Sequence, residues 1–268
     1  MSVSTPPDLT QQPDVPHEPG KMSFFEHLTE LRIRIIRSAL AIAVGTFVGV
    51  SVAKPVLVFA VKPVVTALQN AGLGNKLIFT HPAGYLNLWI QAALYIGLIL
   101  AFPYVLYQIW MFVAPGLHKN ERGAIAGFII PAFLLFLSGI VFGYYVLLPY
   151  LMKFLISFQG NGPFTPLISM EEYFDMTITV LLGVGLVFEM PAVIFLLSMF
   201  GVVTPRFLWK NFRYAILIIS IICAIITPTP DALTMLVFMS PMIALYLISI
   251  GVSALAVRKR NRSREQAP

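Results

Sequence analysis

The sequence predicts an all-α polytopic membrane protein, with six transmembrane helices in a curved, cup-like arrangement and both termini on the cytoplasmic side. Three observations carry this. The chain has 268 residues, of which 58% are hydrophobic and only 11% charged, with a mean hydropathy of +0.83. A soluble domain carries about 25% charged residues, and an α/β enzyme of this length needs more polar surface to stay dispersed. Long apolar runs alternate with short polar, Lys/Arg-bearing segments, the pattern of helices that cross about 30 Å of hydrocarbon at about 1.5 Å per residue. Finally, with six crossings, fourteen Lys and Arg residues fall on the side of the termini and four (Lys54, Lys62, Lys76 and Lys153) on the other. Basic residues stay on the cytoplasmic side, so both termini are placed there.

The elements follow in order. Residues 1–21 are rich in Pro, Thr, Gln and acidic groups and lack the basic segment and apolar core of a cleavable signal. They read as a disordered extension. Residues 22–257 form the membrane domain, with spans at about 35–56, 88–112, 123–148, 174–200, 214–230 and 233–257. Lys54 and Pro55 interrupt span one near its far end, where a lysine can snorkel and a proline costs least. Residues 57–87 are mixed in character and form an extramembrane segment. Span five is short, its clean apolar run reaching only from Ala215 to Ile226. The Thr227-Pro228-Thr229-Pro230-Asp231 turn makes it one arm of a hairpin with span six, which thins the bilayer locally. Residues 258–268 are a basic cytoplasmic tail.

Prolines punctuate this plan. Pro103, Pro131, Pro191 and Pro241 lie inside spans two, three, four and six, and together they imply bent helices forming a curved wall. Pro115, Pro228 and Asp231 mark turns. Gly183 and Gly185 suit close helix packing.

Two polar features need a function or a partner. Glu189 stands in an otherwise apolar stretch from Leu181 to Phe200, where an isolated carboxylate is expensive unless paired, hydrated or neutralised. Either it faces a cavity or partner, or it is hydrogen-bonded as an acid across the bundle. The stretch from Phe24 to Arg34 is amphipathic, with Glu26, Glu30 and Arg34 spaced four apart on one helical face. It is either a solvated helix end with internal ion pairs or an acidic docking surface at the membrane. Glu121, in the loop after span two, brings a further carboxylate to that side.

The remaining chemistry is excluded by spacing. His27, His81 and His118 form no metal-ligand pattern, and Cys223 stands alone. There is no nucleophile motif, phosphate loop or dinucleotide fingerprint, so neither an enzyme nor a cofactor is expected. The net charge of +6 anchors loops to anionic lipid; nucleic acid is not expected as a partner.

Taken in order, Phe25-Glu26-His27-Leu28-Thr29-Glu30-Leu31-Arg32, Tyr107 through Leu117 with Glu121-Arg122, Phe188-Glu189-Met190-Pro191, Ile226 through Asp231, and Pro241 through Tyr246 resemble the multi-spanning C subunit of the twin-arginine protein translocase. The resemblance covers about residues 22–255. It implies a cup of six tilted helices with short fifth and sixth spans, in a bacterial cytoplasmic (inner) membrane. It further implies a receptor for signal peptides bearing two consecutive arginines on folded cargo. By the same resemblance, Glu30 and Glu121 receive the arginine pair, and Glu26, His27, Leu31 and Arg32 belong to the same recognition motif. Glu189 becomes the polar group on the cup wall that meets single-span partners. Those partners are A-type subunits, with or without a separate B-type subunit. Self-association in the receptor complex is implied too, with transport driven by the proton-motive force.

The chain departs from the family pattern at three places. Gly84 and Gln91 stand where an acidic residue and a lysine are common, and Leu247 replaces a common glutamate. A small secondary transporter, with Glu189 as the ion-coupling carboxylate, is the competing reading, although no internal repeat is present and the acidic surface would go unexplained. A purely structural scaffold is the third.

Overall fold

The structure, a computed structural model, describes residues 24–113, 122–158, 167–227, 229 and 231–265. These are helical almost throughout. Helix α1 (Phe24–Ala60) has 37 residues, about 55 Å at 1.5 Å per residue. It is far longer than one crossing, and the amphipathic stretch from Phe24 to Arg34 is continuous with span one. Helix α2 (Lys62–Asn70) follows after a break at Val61. Then come α3 (Gly84–Val113), α4 (Arg122–Phe142), a π-helical turn over Gly143–Leu147, and α5 (Leu148–Phe158). Span four is divided into α6 (Met170–Phe188) and α7 (Met190–Met199). The chain ends with α8 (Pro205–Lys210), α9 (Phe212–Ile226) and α10 (Ala232–Glu265).

Among the described residues, five helical stretches are long and apolar enough to cross a membrane, and α9 is a shorter apolar helix. At 15 residues, α9 covers about 22 Å of the roughly 30 Å core. It stops at Ile226, short of the expected edge at 230, where the Thr227 hydroxyl and N–H both donate to the Cys223 carbonyl at 2.7 and 2.8 Å. Helix α1 packs on α3, α3 on α4, α4 on α6, α7 on α10, and α10 on α9. The spans therefore stand in a curved row, the cup-like arrangement. Single-layer packing leaves much apolar surface uncovered by protein: Phe47 in the middle of α1 is 82% exposed. In a membrane, lipid covers it.

Each sharp feature has a local cause. Pro63 has no N–H to give to the Phe59 carbonyl one turn back. The Tyr144 hydroxyl, presented by the π turn, donates there at 2.6 Å, and Tyr173 donates to the next carbonyl, Ala60, at 2.9 Å. The open end of α1 is thereby capped from two other helices. Pro191, the second residue of α7, likewise cannot serve the Val187 carbonyl, and the helix breaks at Glu189 (φ −74°, ψ −10°). Pro103, Pro131 and Pro241 lie inside α3, α4 and α10. Pro115 and Pro228 fall outside the described residues.

The closest packing is made by small residues. A Cβ on Gly45 would lie 2.6 Å from the Gly97 carbonyl oxygen, and one on Gly49 would lie 2.5 Å from that of Ala93. Gly45 and Gly49 on α1 thus face Gly97 and Ala93 on α3, two small pairs each four residues apart, and the two backbones touch. Between α4 and α6, a Cβ on Gly139 would come 2.9 Å from the Gly185 Cα, the close packing expected of Gly185.

Candidate functional site

The contact between α1 and α3 runs antiparallel and fixes what meets at the end of α1 bearing Phe24. There Arg34 is gripped from both helices. Its Nε donates to Glu30 Oε1 at 3.0 Å, its Nη2 makes an ion pair with the same oxygen, and its Nη1 donates to Gln108 Oε1 at 3.1 Å. Gln108 is only 3% exposed. One turn toward the N-terminus, the His27 ring stacks on Phe112 at 4.3 Å between centroids, and His27 Nδ1 lies 3.9 Å from Glu30 Oε2. That oxygen is buried and has no hydrogen-bond partner among the described residues.

Of these groups, Glu30 and Arg34 border a shallow cavity of about 500 Å³ on α1, which Phe25, Glu26 and Arg37 also line. Charge-assisted bonds from Arg34 lock the Glu30 rotamer through one oxygen. The second oxygen keeps its lone pairs for another donor. The site can therefore recognise a cation with N–H groups, guanidinium above all, because a planar fork suits a carboxylate.

Of the residues expected from sequence, Glu26, His27 and Glu30 are brought together here. Leu31 is half-buried on the same helix and Arg32 points to the exposed side. Glu121 lies outside the described residues. Sequence reasoning paired Glu30 with Arg34 but did not single out Arg34, Gln108 or Phe112 as parts of one site. The small pairs at Gly45 and Gly49 were the available signal that α1 and α3 lie in contact.

Glu189 lies mid-wall at the α6–α7 break, 5% exposed, with both carboxylate oxygens buried and without a hydrogen-bond partner among the described residues. The alternative of an acid hydrogen-bonded across the bundle is therefore absent from the described residues. The break has a consequence: Ala192 and Leu196, just beyond it, pack into the cluster of Phe102, Leu106, Trp110 and Phe136.

At the opposite end of the molecule, Gly84 acquires a reason. A Cβ there would fall on the Glu171 carboxylate. Glu171 accepts from the Thr80 N–H at 3.2 Å and from the Ser169 hydroxyl at 2.8 Å. A carboxylate thus does sit at the start of α3, supplied by α6 in place of residue 84.

The fold is that of a multi-pass helical membrane protein, and it carries two acidic sites. A model of the family described as Sec-independent protein translocase protein (TatC) matches residues 26–241. The Koribacter versatilis TatC is 44% identical over 92% of this chain and 90% of its own length. The Bacillus subtilis TatCy is 36% identical over 91% and 93%. A crystal structure of TatC, described as the twin-arginine translocase receptor, superposes with a TM-score of 0.72 at 34% identity, covering 86% of this chain and 99% of that one. A second, in DDM, gives 0.74, covering 85% of this chain and 99% of that one. The chain belongs to the TatC family and is a subunit of the Sec-independent, twin-arginine protein translocase.

Proposed function

We propose that this subunit is the signal-peptide receptor of the translocase and that Glu30 and Glu121 receive the two consecutive arginines of the signal. The observation that carries the reading is the Glu30 carboxylate. One oxygen is clamped by Arg34, and the other is buried beside His27 with no hydrogen-bond partner among the described residues. A guanidinium of the signal binds the second oxygen, and the other guanidinium of the pair binds Glu121. Glu26 adds negative potential at the rim, while Leu31 and Arg32 shape the helix surface beside the site. The apolar part of the signal then lies along the curved wall.

Orientation follows from the Lys/Arg distribution, which puts both termini and the Glu30 site in the cytoplasm of a bacterial inner membrane. Glu189 is the contact for a polar group on a single-span A-type or B-type subunit, since a membrane-embedded carboxylate lacking an internal partner gains most from an external one. The protein is a receptor and assembly core with no catalytic step of its own. Its copies associate in the receptor complex, and the proton-motive force drives transport of folded cargo.

The test is binding of a fluorescent twin-arginine signal peptide to the protein in nanodiscs. Glu30→Gln is expected to weaken binding about 10- to 100-fold, the worth of a charge-assisted pair at roughly 1.5–3 kcal/mol. Unchanged affinity in Glu30→Gln and Glu121→Gln alike contradicts the reading.

A further inference from the structure

A cavity of about 860 Å³ lies at the opposite end from Glu30, between α2 and α5. We propose that it is a binding site for the headgroup of an anionic phospholipid in the leaflet facing away from the signal site. Its volume falls within the roughly 300–1,000 Å³ of small-molecule sites, and its lining divides by chemistry. Lys62 and Lys153 supply two ammonium groups, Thr66 and Asn70 supply neutral hydrogen-bonding groups, and Phe59 and Tyr145 form an aromatic wall.

Neither lysine has a carboxylate within ion-pair distance among the described residues. The Lys62 ammonium is held over the Phe59 ring at 5.2 Å from its centroid, which leaves its N–H groups to an anion. The π turn builds this wall. It puts Tyr144 under the cavity, stacked on Phe59 at 4.4 Å and bonded to the Phe59 carbonyl, and leaves the adjacent Tyr145 64% exposed. Such insertions often mark binding sites.

Position selects a lipid over a soluble anion. The cavity opens where apolar α1 ends at Ala60, at headgroup depth, where tyrosine and snorkelling lysine collect. One turn before Tyr145 on the same strip of helix, Val141 is exposed and apolar, a track for an acyl chain beneath a phosphate held by the two lysines. Two juxtamembrane lysines contribute a factor of about five each toward an anionic lipid.

Native mass spectrometry of the detergent-purified protein with added phosphatidylglycerol or phosphatidylcholine tests this. The wild type is expected to retain phosphatidylglycerol preferentially. Lys62→Gln with Lys153→Gln is expected to cut that retention about 25-fold, each single variant about fivefold. Lys76→Gln, at the same end but outside the cavity, leaves retention unchanged, and the Lys62→Arg/Lys153→Arg pair preserves it. Excess inorganic phosphate does not displace the lipid. Equal retention of the two lipids, unaltered retention in the Gln variants, an equal loss in Lys76→Gln, or displacement by phosphate would each overturn the proposal.

Discussion

Gly45 of α1 lies against Gly97 of α3, so close that a Cβ on Gly45 would come within 2.6 Å of the Gly97 carbonyl oxygen. This approach sets the register in which Arg34 reaches Gln108 and His27 reaches Phe112 further along the same helix pair. Gly97→Leu is therefore expected to destabilise the protein by at least about 1–3 kcal/mol, the cost of overpacking, and to weaken signal-peptide binding as well. Gly127→Ala, which meets open space, leaves both within about 0.5 kcal/mol of wild type or slightly improves stability. Denaturant unfolding in detergent, read beside peptide binding, checks the pair.

The tyrosine caps make a second expectation. Tyr173 is 2% exposed and serves the Ala60 carbonyl, so Tyr173→Phe leaves a buried acceptor unsatisfied. A loss of about 1–3 kcal/mol follows. If unfolding of Tyr173→Phe matches the wild type, the α1–α2 break is held by something other than this bond.

Fold and site were legible to different depths. Apolar runs and prolines show directly in sequence because the bilayer imposes length and composition on every span. The amphipathic segment around Glu30 was visible as a helix face, but periodicity alone could not decide between a solvated end and a docking surface. That choice depends on Gln108 and Phe112, some 80 residues away, and on glycines that bring α3 alongside. Position 84 shows the limit most clearly. Its glycine reads as a lost carboxylate, whereas Glu171 returns one from another helix. A single chain's sequence carries no local mark of that exchange.

Asp231 gives a pH dependence. Its carboxylate caps α10 by accepting the Thr234 N–H at 2.7 Å. Partial desolvation pushes the carboxyl up, but the hydrogen bonds, led by that of the Thr234 amide, outweigh it and hold it below the usual carboxylate range. A depressed folded-state pKa means the stabilisation is fully present above the unfolded value of about 3.9. It is lost as pH falls through the lower folded value. Asp231→Asn is expected to show a shallower loss of stability than wild type as pH falls below about 4. Parallel melting-temperature curves for the two proteins across that range would contradict the capping role.

Substitution at Glu189 tests folding and assembly separately. Replacing a buried, unpaired carboxylate with leucine removes a desolvation cost of roughly 1–3 kcal/mol or more, so Glu189→Leu is expected to melt at or above the wild-type temperature. On the proposed partner role, the same variant is expected to lose co-purification of single-span partners. Wild-type levels of partner recovery would remove Glu189 from the interface.

The most direct test of the central claim is arginine-dependent crosslinking at the Glu30 site. A photo-crosslinker at exposed Thr29, one residue from Glu30, is challenged in membranes with a twin-arginine signal peptide and with its twin-lysine counterpart. Strong labelling by the arginine form, weak labelling by the lysine form, and loss of the difference in Glu30→Gln are the predicted results. Equal labelling by both peptides, or a preference that survives Glu30→Gln, would contradict the assignment of Glu30 as the arginine-reading carboxylate.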